Sequence, residues 1–125
     1  MPKPVLEFHT PSAPWIADEG AVDGVWAKML AEDPDTGDST RLVRFDAGVN
    51  TSDQGIRSHD YWEEVYILQG DLTDLRLKRT FSAGMYACRP PGMPHGPWRT
   101  ERGALMLEIR RFAGICWGDS AAPDR

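Results

Sequence analysis

Chain-breaking residues recur along this sequence at intervals of about 8 to 12 residues, a spacing that suits short strands and turns. The breakers are Asp23-Gly24, Asp33-Pro34-Asp35-Thr36-Gly37, Ala47-Gly48, Gln69-Gly70-Asp71, Ala83-Gly84, Pro90-Pro91-Gly92 and Arg102-Gly103. Helical bundles and coiled coils need longer uninterrupted runs, so both are excluded. With 12 glycines and 10 prolines in 125 residues, the chain is rich in such punctuation. Its 41% hydrophobic content is still enough to fill one core, which argues against wholesale disorder. The length suits one domain and is too short for two. A small all-β domain, sandwich or barrel, is the expectation.

The runs between breakers have strand character. They cover Val25 to Ala31, Thr40 to Phe45, Ile56 to Tyr61, Glu64 to Gln69, Leu72 to Lys78, Met85 to Cys88 and Leu105 to Phe112. In the last of these, Leu105, Leu107 and Ile109 share one face and Glu108 and Arg110 the other, which predicts aliphatics inward and charges outward. Arg110-Arg111 then reads as a solvated or interface face. Val22 to Glu32 fits a helix and a strand equally well. Asp33 to Asp38 reads as a hairpin loop, with Pro34 pre-setting one dihedral and Gly37 able to take a positive φ. Four prolines fall in residues 1–14, and residues 118–125 are small and polar. The expected organisation is an N-terminal arm over 1–20, a folded β domain over 21–113 and a C-terminal tail over 114–125.

A net charge of −5 argues against nucleic-acid binding, which calls for a basic face. No stretch of about 18 apolar residues offers a membrane span. Met1-Pro2-Lys3-Pro4 leads into no apolar signal segment, so a cytoplasmic location is expected. Cys88 and Cys116 have no zinc-like spacing and are expected to be free and reduced, with Cys88 as a small buried group. Glu7, Asp18, Glu19 and Asp23 read as an acidic surface.

Three histidines are available for chemistry. His9 sits in the proline-bearing arm and reads as solvated. His59 precedes Asp60-Tyr61-Trp62-Glu63-Glu64, which places an imidazole and a carboxylate four residues apart. His95 follows Pro90-Pro91-Gly92-Met93-Pro94, a rigid turn that would fix its direction. Two imidazoles and one carboxylate make a facial triad that leaves open positions on a divalent metal, usually Fe(II). On spacing alone, two histidines without any metal would be an equally good account.

A longer pattern shifts that balance. Arg57-Ser58-His59 through Gly70 resembles the first motif of the cupin superfamily, matching its second histidine, its glutamate and its closing glycine at His59, Glu63 and Gly70. Gly84 through His95 resembles the second motif, matching at Gly84, Pro90, Gly92 and His95. The asparagine of that motif would fall at Arg99, where the sequence departs. Within the superfamily, Glu63 to Gly70 and Tyr86 to Gly92 look like the ChrR-like and acetylacetone-cleaving dioxygenase-like cupins, as does the placing of Trp15 and Asp33 to Gly37. The resemblance covers roughly residues 40–112. It implies a double-stranded β-helix, a jelly-roll-like β-barrel.

It also implies His59, Glu63 and His95 as metal ligands, with Glu64 an alternative carboxylate after a one-residue slip. The metal would be a divalent transition ion: Fe(II) first, with Zn, Ni or Mn as alternatives and a metal-free form also open. With iron, the implied reaction is oxygen-dependent cleavage of a carbon–carbon bond in a β-diketone-like or hydroxy-ketone substrate. With other metals it is isomerase, hydrolase or lyase chemistry. A non-catalytic ligand- or metal-sensing cupin is the reading from another class.

The pattern breaks at Arg57, which stands where most cupins carry their first histidine ligand. A guanidinium stays protonated and offers only donors, so it does not normally coordinate metal. Three roles are open to it. It could bind a substrate carboxylate or enolate, pair with Glu63 in the metal's place, or turn outward. Arg57 and Tyr86 are the candidate catalytic residues, and Arg57, Tyr61 and Trp98 the candidate substrate contacts. Such aromatics are more often core than pocket wall. Cupin domains of this size commonly pair through N-terminal strands, so a homodimer using Val5 to Ile16 is expected.

Overall fold

The computed structural model describes residues 2–112. Cys116 and the expected tail over 114–125 lie outside them. Eight strands form in chain order: β1 (Ile16–Ala17), β2 (Val25–Glu32), β3 (Ser39–Phe45), β4 (Trp62–Asp74), β5 (Arg79–Ser82), β6 (Tyr86–Arg89), β7 (Trp98–Arg99) and β8 (Ala104–Arg111), with a 3₁₀ turn at Ser52–Gln54. They pair in the order β1-β2-β3-β8-β4-β5, and β6 and β7 also pair with β4. Every pairing is antiparallel. Among the described residues no helix is long and apolar enough to cross a membrane.

The ambiguous Val22 to Glu32 segment folds as β2, with Val25 and Ala27 buried and Trp26 and Lys28 on the opposite face. Its hairpin to β3 closes as the turn residues suggest. Gly37, at φ 86°, donates its N–H to the Asp33 carbonyl at 2.9 Å. Three expectations differ in detail. Ile56 to Tyr61 is not a strand and holds only an isolated bridge, Arg57 to His95. Leu72 to Lys78 is strand only to Asp74; it then turns and continues into β5. Gln69-Gly70-Asp71 is not a turn between strands, because β4 runs straight through it.

Gly70 earns its place by proximity. At φ 79°, a Cβ built on it would lie 2.0 Å from the Gly103 carbonyl oxygen, so neither the dihedral nor the space admits another residue. Just before it, Ile67 faces Met106 while Gln69 faces Leu105, which makes Leu68 the extra residue of a bulge. Ahead of the bulge β4 lies between β8 and β6; beyond it Gln69 and Gly70 still pair with β8, and from Asp71 the strand passes to β5 and β7.

The inward face of β3, β8, β4 and β6 is graded in cross-strand rows. At one end the row is Val43, Met106 and Ile67, part of a core that also holds Val25, Val49, Leu72 and Ala104. The next row is Arg41, Glu108, Val65 and Ala87. The last is Ser39, Arg110, Glu63 and Arg89. The assignment of β8 is therefore the reverse of the sequence expectation. Ala104, Met106 and Glu108 are buried, and Leu105, Leu107 and Ile109 lie on the outer face. The physical reason is pairing: Glu108 stands opposite Arg41 in the ladder and accepts its Nε–H at 2.5 Å. A buried charge is tolerated where it is paired and hydrogen-bonded.

Candidate functional site

His59, Glu63 and His95 converge. One ligand atom from each lies within 4.8 Å of the others, with Glu63 and His95 buried and His59 partly so. Glu63 projects inward from β4. The histidines come from two loops stitched together by backbone hydrogen bonds. Arg57 and His95 exchange N–H and carbonyl at 2.8 Å each, and Gly92 N–H donates to the His59 carbonyl at 2.7 Å. Gly92 takes φ 85° in the Pro90-Pro91-Gly92 turn, which delivers His95 to the site.

Each donor has a neighbour that orients it. Arg89, directly across the ladder from Glu63, donates Nη1–H to its Oε1 at 2.8 Å. This leaves Oε2, 3.8 Å from His59 Nε2, facing the imidazoles. The His59 ring stacks on Tyr61 at 4.7 Å between centroids and 7° between planes. His95 has Nδ1 3.4 Å from the Met93 carbonyl oxygen. The donor set suits a divalent transition metal, with neutral nitrogens and a carboxylate oxygen turned toward a common point.

Both imidazoles are held neutral. Burial, and next the neighbouring His95, lowers His59 from 6.5 to about 4. Burial, and next the Arg89 guanidinium, also lowers His95. Burial likewise raises the Tyr61 hydroxyl above its ordinary value. In the metal-free protein, the unfolded chain accepts the His59 proton near pH 6.5, whereas the native chain resists it to about pH 4. His59 thus costs the fold nothing above that window, and stability is lost as pH falls through it. At 1.36 kcal/mol per pKa unit, the loss from His59 reaches at most about 3 kcal/mol. Urea midpoints at about pH 7 and about pH 4.5 measure it. His59→Gln should flatten the slope, and an unchanged slope would assign the effect to other groups.

The site opens onto a cavity of about 660 Å³. Its deep wall is apolar, from Val25, Val43, Phe45, Ile67, Phe81 and Met106. Trp98 also lines it, 6.4 Å from the His95 ring and under the Arg89 guanidinium at 5.5 Å. Tyr61 and Arg57 line it as well. Tyr86 borders the cavity but is not brought into the triad: the residue is 56% exposed, and its hydroxyl donates to Glu64. Glu64, Tyr86 and Cys88 are ladder neighbours on the face opposite Glu63. Glu63 is therefore the carboxylate of the cluster, and Cys88 is exposed rather than buried.

Arg57 does not pair with Glu63; Arg89 does. Among the described residues the Arg57 guanidinium has no hydrogen-bond or ion-pair partner, and the residue is exposed at the cavity wall.

Sequence reasoning missed a second group of charges. Asp18, read as acidic surface, accepts from Arg41 at 3.0 and 3.4 Å. Glu108 Oε1 accepts from both Arg41 and Arg110. The Asp18 and Glu108 carboxylates raise the Arg41 pKa against the opposing effect of its burial. Arg110, read as solvated, lies over the Tyr61 ring at 5.0 Å. A chain of charges, buried at Arg41 and Glu108 and partly exposed at its ends, thus runs from Asp18 to the ring that supports His59.

A family model described as the ChrR Cupin-like domain matches residues 5–111. Among curated proteins none matches. Solved structures do. An RmlC-like cupin from Shewanella frigidimarina is 17% identical, covering 91% of this chain and 96% of its own, with a TM-score of 0.67. An acetylacetone dioxygenase from Acinetobacter johnsonii is 18% identical over 86% of this chain and 74% of its own, at 0.67. The Rhodobacter sphaeroides SigE complex with the anti-sigma ChrR is 20% identical over 82% and 52%, at 0.59. At these identities the likeness establishes the fold, a jelly-roll-like β-barrel, and leaves the chemistry to the residues.

Proposed function

Because the chain belongs to the ChrR cupin-like domain family, we propose that it is a metal-binding cupin acting on a small oxygenated molecule. His59, Glu63 and His95 would hold a divalent transition metal, with iron(II) favoured. The reaction we assign is oxygen-dependent cleavage of a carbon–carbon bond in a β-diketone-like substrate. The observation that carries this reading is the buried two-imidazole, one-carboxylate cluster at an apolar-walled cavity of about 660 Å³. When bound, the metal supplies Lewis acidity and a template for substrate and oxygen.

The chain's own residues do the rest. Arg89 holds one Glu63 oxygen so that the other faces the imidazoles. Tyr61 fixes the His59 ring plane by stacking. The apolar wall excludes water from a bound enolate, and Trp98 and Tyr61 form the sides against which a flat dicarbonyl lies. A non-catalytic sensing cupin is the second reading. It is favoured by the Glu63–Arg89 ion pair, which already neutralises the carboxylate without a metal. We also place a second copy of the chain against this one, because Val5 and Phe8 of the arm are fully exposed.

One purification tests all three. Elemental analysis after anaerobic Fe(II) loading should find the metal, an oxygen electrode should record uptake with simple β-diketones, and sedimentation should give twice the 14.0 kDa chain mass. No transition metal after loading sinks the metal reading. Metal without oxygen uptake leaves the sensor, and a monomer mass removes the dimer.

A further inference from the structure

The cavity wall carries five guanidiniums, from Arg41, Arg57, Arg76, Arg89 and Arg110, against five carboxylates, so its formal charge is zero before any cation enters. The guanidiniums are not equivalent. Arg41 is held by Asp18 and Glu108, Arg110 by Glu108, and Arg89 by Glu63. Arg76 reaches the Pro94 carbonyl oxygen at 3.5 Å. Arg57 alone among these five meets no partner among the described residues, although its backbone is bridged to the His95 backbone at the edge of the triad.

A divalent ion on His59, Glu63 and His95 would leave the wall two positive charges in excess. A β-diketone bound as its enolate supplies one negative charge. The second would have to come from elsewhere on the ligand, within reach of the guanidinium that has spare donors. A guanidinium fork matches a planar carboxylate with two parallel N–H···O bonds. A phosphate dianion fits less well, because the neighbouring guanidiniums are already engaged.

We infer that the ligand of this cavity is a β-diketo acid, a β-dicarbonyl compound bearing a carboxylate that Arg57 receives. This rests on the metal-binding reading above and narrows its substrate class.

The test compares 2,4-dioxopentanoate with its methyl ester, which keeps the dicarbonyl and removes the charge. Binding is followed by calorimetry on Zn(II)-loaded protein, so that no turnover is needed. The acid should bind tighter than the ester by about tenfold or more, the gain expected of a charge-assisted pair. Arg57→Met should bring the two within about twofold, and Arg57→Lys should restore part of the preference. Equal affinity for acid and ester in the wild type overturns the inference, as does a preference that survives Arg57→Met. Absence of zinc from the loaded protein counts against the metal reading instead. The same pair is then titrated into the unloaded protein, where acid preference lost in Arg57→Met supports the carboxylate contact, and no preference overturns it.

Discussion

Replacing His95 by alanine is expected to lower the affinity for Zn(II) or Fe(II) by well over 100-fold, as measured by competition with a chromophoric chelator. The reasoning begins with ligand number. His59, Glu63 and His95 are the three donors of the cluster, and removing one leaves two protein ligand atoms. Outer groups that only orient ligands already cost about 10- to 100-fold when removed, so a ligand must cost more. Arg89→Met falls in that lower band, because it frees Glu63 Oε1 without deleting a donor. His9→Ala is the control and should change nothing: His9 is exposed, and among the described residues its ring hydrogen-bonds the Glu7 carbonyl oxygen at 2.8 Å. Equal losses in His95→Ala and His9→Ala would mean that the ligands are misassigned. Folding of the His95 variant is checked by its thermal transition, so loss of metal is not confused with loss of structure.

Glu108→Gln is expected to destabilise the fold by about 3–5 kcal/mol, read from urea or thermal unfolding. Glu108 is buried, and its Oε1 accepts from both Arg41 and Arg110. The amide is nearly the same shape but removes the charge, so Arg41 is left with Asp18 alone and Arg110 loses its carboxylate partner. For a domain whose whole stability is of order 5–15 kcal/mol, that is a large fraction. Arg41→Met with Glu108→Leu should cost less than the single losses added together, because the pair is deleted and no charge is stranded. Arg44 and Asp46 give the contrast. They lie 3.4 Å apart with side chains 40% and 47% exposed, and Arg44→Met should change stability by less than about 1 kcal/mol. A Glu108→Gln effect as small as that would remove the buried network as a structural element.

What the sequence revealed follows the range over which each feature acts. The hairpin at Asp33 to Asp38 was legible because the turn is local: a proline, a glycine and three aspartates dictate its dihedrals. The motif histidines were legible because His59 and Glu63 sit four residues apart and His95 ends a rigid turn. Arg89, Arg41, Glu108 and Arg110 were not, since their roles depend on register. Nothing local distinguishes Glu108 facing Arg41 across a ladder from Glu108 facing water, and polar alternation ordinarily means the latter. The signal available in hindsight is parity. Arg41 shares a face with Val43, and Glu108 with Met106, so both charges alternate in step with core residues. Gly70 misled for a similar reason, because a glycine needed for close approach reads like a glycine needed for a turn.

The extra residue at Leu68 has a wider consequence. Before it, the odd-numbered residues of β4 look inward, so Glu63 and Ile67 are buried; beyond it the even-numbered ones do, so Leu72 and Asp74 are buried. An unbroken strand of this length would keep one parity throughout. Aligned on the core end, it would present Glu64 in place of Glu63 and turn the cluster's carboxylate to the outside. Aligned on the other end, it would expel Leu72 and Asp74. A single inserted residue thus lets one strand serve two frames, and the chemistry at its head is kept in phase with the packing at its foot.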